Sequence, residues 1–399
     1  MSQKRLCEHW LKSLLQYVED TEAPRHFWFW GGISTITSAM QRKVWVPFGL
    51  DPLFPNLYIV LVAAPGRCRK GGPVGLARKM LHEINIPVSV DSMSKRALTK
   101  ELVQLGKSQY FQFKDEGGET RSFPQAAIGI YSKEMSSLLT LDPKGMIECL
   151  TDLYDSADKW AYKTSDKGED FLYGVCINLF AATTPTWIAA NLPEEAIGGG
   201  FTSRVALIYG DKKYKRVTLP DPPNTQLYGL LIRDLARISN LIGPFKWTPE
   251  AFEIFDLWYQ ELGKVREKTP NEKLHAFIER MHIMCLKVAM ALHVCYSDEL
   301  IFMPNDIGQA IDVLKITLKS ADKVFAGHGR NELALDQARI KEQIKQTKQV
   351  TFIKLLEWNM SHVSRSQLAE VIDNLVDTGY VTRVYQKQGG ELLTWREGR

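Results

Sequence analysis

The 399-residue sequence predicts an α/β fold built on a mainly parallel sheet, and three observations carry that expectation. Runs at 57–64 (LYIVLVAA), 126–132 (AAIGIYS) and 175–183 (VCINLFAAT) are apolar on consecutive residues instead of alternating, as expected of strands covered on both faces. Helical patterns separate them, the rhythm of parallel βαβ connections. The first run leads into a loop rich in glycine and basic residues, and a helical pattern follows.

Taken in order, the elements divide the chain into four blocks. Leu6, Trp10, Leu14 and Val18 recur every four residues, one face of an amphipathic helix, and a second apolar helical stretch covers 27–40, so residues 1–43 read as a helical N-terminal region. The α/β core spans 44–218, with further strands expected at 88–91 and 205–209 (VALIY). Three prolines in LPDPPN, residues 219–224, stop any element there. Residues 225–330 read as all-helical, with Phe277, Met281, Met284, Cys285, Val288 and Leu292 on one stripe. His275, His282 and His293 lie among apolar neighbours without a carboxylate at matching spacing and read as structural. In 340–399 a helix is followed by Ser364 and Gln367, a capping box, then by the stripe Leu368, Val371, Ile372, Leu375 and Val376, with Gly379 as the stop. A hairpin of 380–385 with 392–395 completes the pattern of a winged helix-turn-helix.

Composition narrows the function classes. Fifty Lys and Arg against 46 Asp and Glu leave a net charge of +4, so any nucleic-acid site must be local. The most apolar run, 57–64, is far shorter than the ~20 residues of a membrane span, and the opening MSQKRLCEHWLK lacks the apolar middle of a signal peptide. Six cysteines without a C-x-x-C pair are expected as reduced, buried thiols of a cytoplasmic protein, which argues against a zinc site.

The chemical signal is concentrated where the strands end. Ala64 is followed by Pro65, Gly66, Arg67, Cys68, Arg69, Lys70, Gly71, Gly72 and then Pro73, which suits a first helical turn. Strand, glycine loop with lysine, and helix is the context in which backbone N–H groups cradle a nucleotide's phosphates, with Lys70 reaching the β and γ phosphates. Against G-x-x-x-x-G-K-[ST], Ala64 and Arg69 replace the glycines and Gly71 replaces the hydroxyl residue; a glycine-rich turn with solvated basic residues is the alternative. The second run ends in Ser132-Lys133-Glu134, placing a carboxylate where it can polarise an attacking water; alternatively Glu134 simply opens the next helix at its favourable end. Thr184, in Thr183-Thr184-Pro185, offers a small hydroxyl for a sensor contact with water or γ-phosphate. Arg204 follows three glycines, a flexible turn from which an arginine can reach a neighbouring subunit.

The order FPNLYIVLVAAPG, RKG, IGIYSKEMSSLL, LFAATTP and GGGFTSR resembles a family of P-loop proteins common in phages, prophages and other mobile elements. That family is often catalogued as a domain of unknown function and is related to virus-type replicative helicases. The resemblance covers roughly residues 22–209 and extends weakly through the helical block. It implies a P-loop NTPase of RecA/AAA+-like topology in a bacterial host's cytoplasm: an ATP-dependent DNA helicase or translocase forming a homo-oligomeric ring, hexamer favoured, on single-stranded or forked DNA with other replication proteins. An Arg-Lys pair in the loop, here Arg69-Lys70, has a parallel in that family. The implied cofactors are ATP and Mg2+, and with no hydroxyl beside Lys70 the metal falls to water, Ser132 or Glu134. The alternative is a nucleotide-binding helicase loader or initiation adaptor with weak or absent hydrolysis.

Residues 160–170 read as a hairpin with a polar tip, the region where virus-type helicases line their channel. Lys159, Lys163 and Lys167, with Trp160 or Tyr162 for base stacking, are the expected DNA contacts; a solvated turn balanced by Asp166, Glu169 and Asp170 is the alternative. The run Asp211-Lys212-Lys213-Tyr214-Lys215-Arg216 is the densest basic cluster. It reads as a phosphate track, a contact with a ring neighbour, or a solvated run. In the last block, Glu370, Asp373 and Asp377 outnumber Arg365 on the outward helix face, which disfavours a groove of DNA.

Overall fold

A computed structural model of the chain describes residues 5–89, 91–114, 117–164, 168–192, 196–360, 363–385 and 390–396. The chain is mixed α/β with parallel sheets and divides into two compact units, Met1–Val324 and Phe325–Arg399. No helix among the described residues is long and apolar enough to cross a membrane.

Four strands, Tyr58–Val62, Ala126–Ser132, Val175–Thr183 and Val205–Tyr209, form the central sheet of the first unit. Numbered here first to fourth core strand, they lie in the spatial order second, third, first, fourth. All pairs are parallel: Tyr58 stands opposite Leu179 on one side and Val205 on the other, and Ala126 opposite Val175. Every residue of the first three is buried, the physical counterpart of their unbroken apolar runs. Of the strand expected at 88–91, Val88 bridges Gly129 at the outer edge, while Val90 lies outside the described residues.

Helices Arg25–Met40 and Gly71–Glu83 pack on each other, and the first also contacts the third core strand. From Trp30 to Met40 no residue of Arg25–Met40 escapes burial, so this is a core helix and its hydroxyls need partners. Ser34 and Ser38 meet the Tyr131 hydroxyl at 3.0 and 2.8 Å, and Thr37 donates to Asn178 Oδ1 at 2.9 Å.

Two antiparallel hairpins insert between core strands. Tyr110–Lys114 pairs with Thr120–Pro124, an element absent from the sequence reading. Lys159–Thr164 pairs with Gly168–Tyr173, where a hairpin was expected. Its base is fixed by Arg42, whose buried guanidinium donates to Val175 O at 2.9 Å, pairs with Asp158 and lies 4.0 Å over the Phe54 ring. Gly174 closes the base at φ +62°, where a Cβ would stand 2.1 Å from Pro124 O.

Residues 225–330 are not helical throughout. Gly243–Pro244 pairs with Val44–Trp45, and Lys246–Trp247 with Ile301–Phe302, both in parallel; Gly243 at φ +139° and Pro244 interrupt any helix there. Of the three histidines, His275 and His282 face backbone carbonyls. His293 does have a carboxylate, Asp306, at 2.8 Å, with the Tyr296 hydroxyl donating to the same group; this buried knot ties two helices. Lys287 is fully buried, donates to Asn56 O and Oδ1 at 2.9 and 2.8 Å and lies over Tyr154. Burial pulls its pKa down to about 7.

The second unit is a three-stranded antiparallel sheet, Gln349–Thr351, Glu391–Trp395 and Val381–Tyr385 with Glu391–Trp395 central, carrying helices Phe352–Asn359 and Arg365–Asp377. Ser364 and Gln367 make the capping box. Ile340, Leu355, Leu368, Ile372 and Leu393 centre its own apolar core.

Candidate functional site

The first core strand has neighbours on both sides, and the chain reaches them in opposite directions: outward to the second strand and back for the third, then across to the fourth. Such a reversal opens a crevice at the carboxyl ends of the strands. The loop after Val62 emerges there, flanked by Ala63 N bonded to Thr183 O at 3.2 Å and Gly210 N bonded to Val62 O at 2.9 Å.

Within the loop, Gly66 sits at φ +69° with open space around it, so conformation rather than room asks for glycine. Arg69 also adopts a left-handed backbone, φ +49°. This is the position of the second glycine in the phosphate-loop pattern, so the backbone turns as a glycine would despite the substitution. Its guanidinium donates to Glu22 at 2.7 Å, and hydrogen bonds from Lys213 and then Arg69 hold the Glu22 carboxyl down at about 2. Arg69→Gly is expected to keep stability within about 1 kcal/mol, strain relief offsetting chain entropy and the lost ion pair. Arg69→Val should lower it by more than about 1 kcal/mol, because a β-branched residue tolerates positive φ poorly. Chemical denaturation of the three proteins decides this.

Lys70 immediately precedes helix Gly71–Glu83 and is only 9% exposed. Its Nζ stands 4.0 Å from Glu134 Oε1, with the Glu134 side chain 59% exposed. The two residues named for phosphate binding and water activation are therefore brought together at the mouth of the crevice. Glu134 does precede a short helix, Met135–Leu138, yet its side chain makes no capping bond. Cys68 is buried and desolvation raises its thiol, a packing role. Arg67 reaches only Asp211 O, at 3.4 Å.

The donor set fits Mg2+ poorly. Gly71 has no side chain, and Ser132 is buried with its hydroxyl donating to Glu134 O at 2.7 Å. Asp91 is paired with Arg78. Among the described residues no three His, Cys, Asp or Glu side chains form a metal-holding group. Glu134 is left as a lone carboxylate, with the Ser132 hydroxyl turned to its backbone oxygen.

Thr184 caps helix Pro185–Asn191, accepting from Trp187 N at 3.2 Å and sharing a bond with Thr186 at 3.0 Å. A residue overlooked in the sequence is Lys133. Its stem crosses the helix start, and a Cβ on Gly75 would meet its Cε at 3.2 Å. The glycine inside an otherwise helical pattern was the available signal. Lys133 lines a cavity of about 730 Å³ with Arg78, Ser132 and Glu134.

Arg204 lies at the other edge of the sheet, just before Val205, the partner of Tyr58 at the start of the first strand. It is 9% exposed, with Nη2 2.7 Å from Asp155 and Nη1 2.8 Å from Gly200 O. The preceding glycines are not a loose turn. A Cβ on Gly198 would meet Lys273 Cα at 3.2 Å, and one on Gly200 would meet Thr151 at 3.1 Å, so they serve close packing.

On the hairpin, Lys159 Nζ lies 4.1 Å over the Phe171 ring, and Trp160 is partly buried. Lys167 and the Lys163 side chain lie outside the described residues. No protein-family model and no curated protein matches the chain.

Proposed function

We propose that the chain is an ATP-binding P-loop motor of RecA/AAA+-like type, acting on DNA as a helicase or translocase in an oligomeric ring. The observation that carries this reading is the meeting of buried Lys70 with Glu134 at 4.0 Å, on a left-turning loop at the crevice of a parallel sheet. Lys70, with the N–H groups at the start of helix Gly71–Glu83, binds and neutralises the terminal phosphates. Glu134, open to solvent on the same mouth, orients water and accepts its proton as attack begins. Thr184 contributes its hydroxyl nearby. The Phe325–Arg399 unit is read as a winged helix that docks to protein, since Arg383 on its strand is engaged by Asp373 and faces Glu391.

Gly71 and the committed Ser132 hydroxyl favour the second reading, a nucleotide-binding loader with little hydrolysis. Steady-state ATPase with and without single-stranded DNA separates the two. A motor turns over ATP faster on DNA, and Glu134→Gln lowers kcat by about 10²–10⁴-fold while keeping nucleotide affinity. Binding without DNA-stimulated turnover selects the loader, and wild-type protein that binds no nucleotide removes both.

A further inference from the structure

A cleft of about 1070 Å³ lies beside the Pro65–Gly66–Arg67 turn, walled by residues 212–218. We propose that it is a binding track for the phosphodiester backbone of single-stranded nucleic acid, contacted by Lys212 and Arg216. The proposal rests on the DNA-motor reading only in naming the polymer, and its measurement needs no nucleotide.

Charge is the first reason. Arg67, Lys212, Lys213, Lys215 and Arg216 line the cleft with Glu22, and Asp20 stands against Lys215, so five cations meet two carboxylates. A local positive excess along one groove of a nearly neutral protein gives a field suited to a polyanion. Small-molecule pockets are lined mainly by apolar side chains, and this one is not.

Construction is the second. The 212–217 segment belongs to no helix or strand, yet it is held in place. Tyr214 N bonds to Glu22 O at 3.0 Å, Lys213 pairs with Glu22 and Lys215 with Asp20, both at 2.7 Å. Exposure alternates along it: Lys213, Lys215 and Val217 are tucked in, while Lys212, Tyr214 and Arg216 face out. Lys212 and Arg216 have no ion-pair or hydrogen-bond partner among the described residues. Along the segment the outward side chains run cation, aromatic, cation: Lys212, Tyr214 and Arg216. That order offers backbone phosphates two charges with a ring between them for a base. The Tyr214 hydroxyl is anchored on Glu19 at 2.9 Å and Arg25 lies over the ring at 5.6 Å, which orients it. By contrast, the hairpin's Lys159 already rests on Phe171.

Fluorescence anisotropy of a labelled oligo-dT with the full chain, without nucleotide and across a salt series, tests this. The Lys212→Ala/Arg216→Ala double variant should bind at least about tenfold more weakly, and the slope of log K against log salt should fall by about 1.4, two contacts at ~0.7 each. Both side chains are exposed, and circular dichroism checks that the variant is folded. Failure of wild-type protein to bind, an unchanged slope in the double variant, or loss of binding in Lys159→Ala alone overturns the assignment. So does competitive displacement of the oligonucleotide by ATP, which would give the cleft to the mononucleotide. Nucleotide affinity measured separately tells whether the ATP-binding reading stands or falls with it.

Discussion

Lys70→Ala should abolish detectable nucleotide binding while leaving the fold intact. Among the described residues the ammonium is the one cation at the crevice that is nearly excluded from water, so it meets phosphate at reduced dielectric, where charge-assisted hydrogen bonds are strongest. Two such bonds at about 1.5–3 kcal/mol each correspond to roughly a 160-fold to 25,000-fold loss of affinity. Arg67, Arg69 and Lys133 do not replace it: Arg69 is held by Glu22, Arg67 faces Asp211, and the Lys133 stem runs along the helix toward Gly75. Lys70→Met keeps the stem volume and separates loss of charge from loss of packing. Titration calorimetry with ATP and thermal melts of wild type and both variants would show affinity lost in both, with melting temperature preserved at least in Lys70→Met. Wild-type affinity in Lys70→Met would sink the phosphate-loop assignment.

What could be read from the sequence follows the range of the forces involved. Unbroken apolar runs located the buried parallel strands, because double-sided burial leaves its mark on every residue. The Ser364 and Gln367 cap was legible because its partners are three residues apart. Strand order was not, and neither was the first hairpin at 110–124. Ion pairs that shape the site join distant positions, Glu22 with Arg69 and Lys213, Asp155 with Arg204, and Arg42 with the hairpin base. No local pattern records them. Arg69 shows the opposite case. By residue type it departs from the loop pattern, but the pattern encodes a backbone angle, and an arginine can adopt φ +49° at modest cost. Glycines misled in the other direction, since those at 198 and 200 answer close packing instead of mobility. The basic run at 212–216 left a phosphate track, a ring contact and a solvated run open in the sequence, because its alternation of tucked and outward residues depends on Glu22 and Asp20, nearly 200 positions away.

Arg204→Ala should bind nucleotide like wild type and turn it over at least about 10³-fold more slowly, and the defect should be repairable from another subunit. Arg204 sits at the amino edge of the sheet and Lys70 beyond its carboxyl edge. Five residues of strand at about 3.3 Å each separate the two edges by roughly 15 Å, across a filled core. An arginine so placed has no path to its own loop, so any contact with phosphate belongs to a second copy in a head-to-tail assembly. Reaching out requires it to exchange Asp155 and the Gly200 carbonyl for phosphate. That exchange is inexpensive because Asp155 is more than half exposed and keeps Arg280 at 3.4 Å. For the same reason the alanine variant should stay folded. A finger of this kind contributes about 10³–10⁵-fold to turnover elsewhere in phosphoryl transfer. Mixing inactive Lys70→Ala with inactive Arg204→Ala then rebuilds working junctions, an intact loop from one chain facing an intact arginine from the other. With random, independent junctions in equal mixture, roughly a quarter would be competent. Recovery of about that share of wild-type turnover, in fractions that chromatography shows to be mixed oligomers, is the expected result. No recovery from verified mixed oligomers would confine Arg204 to its bond with Asp155 and leave the motor without a trans-acting arginine at this position.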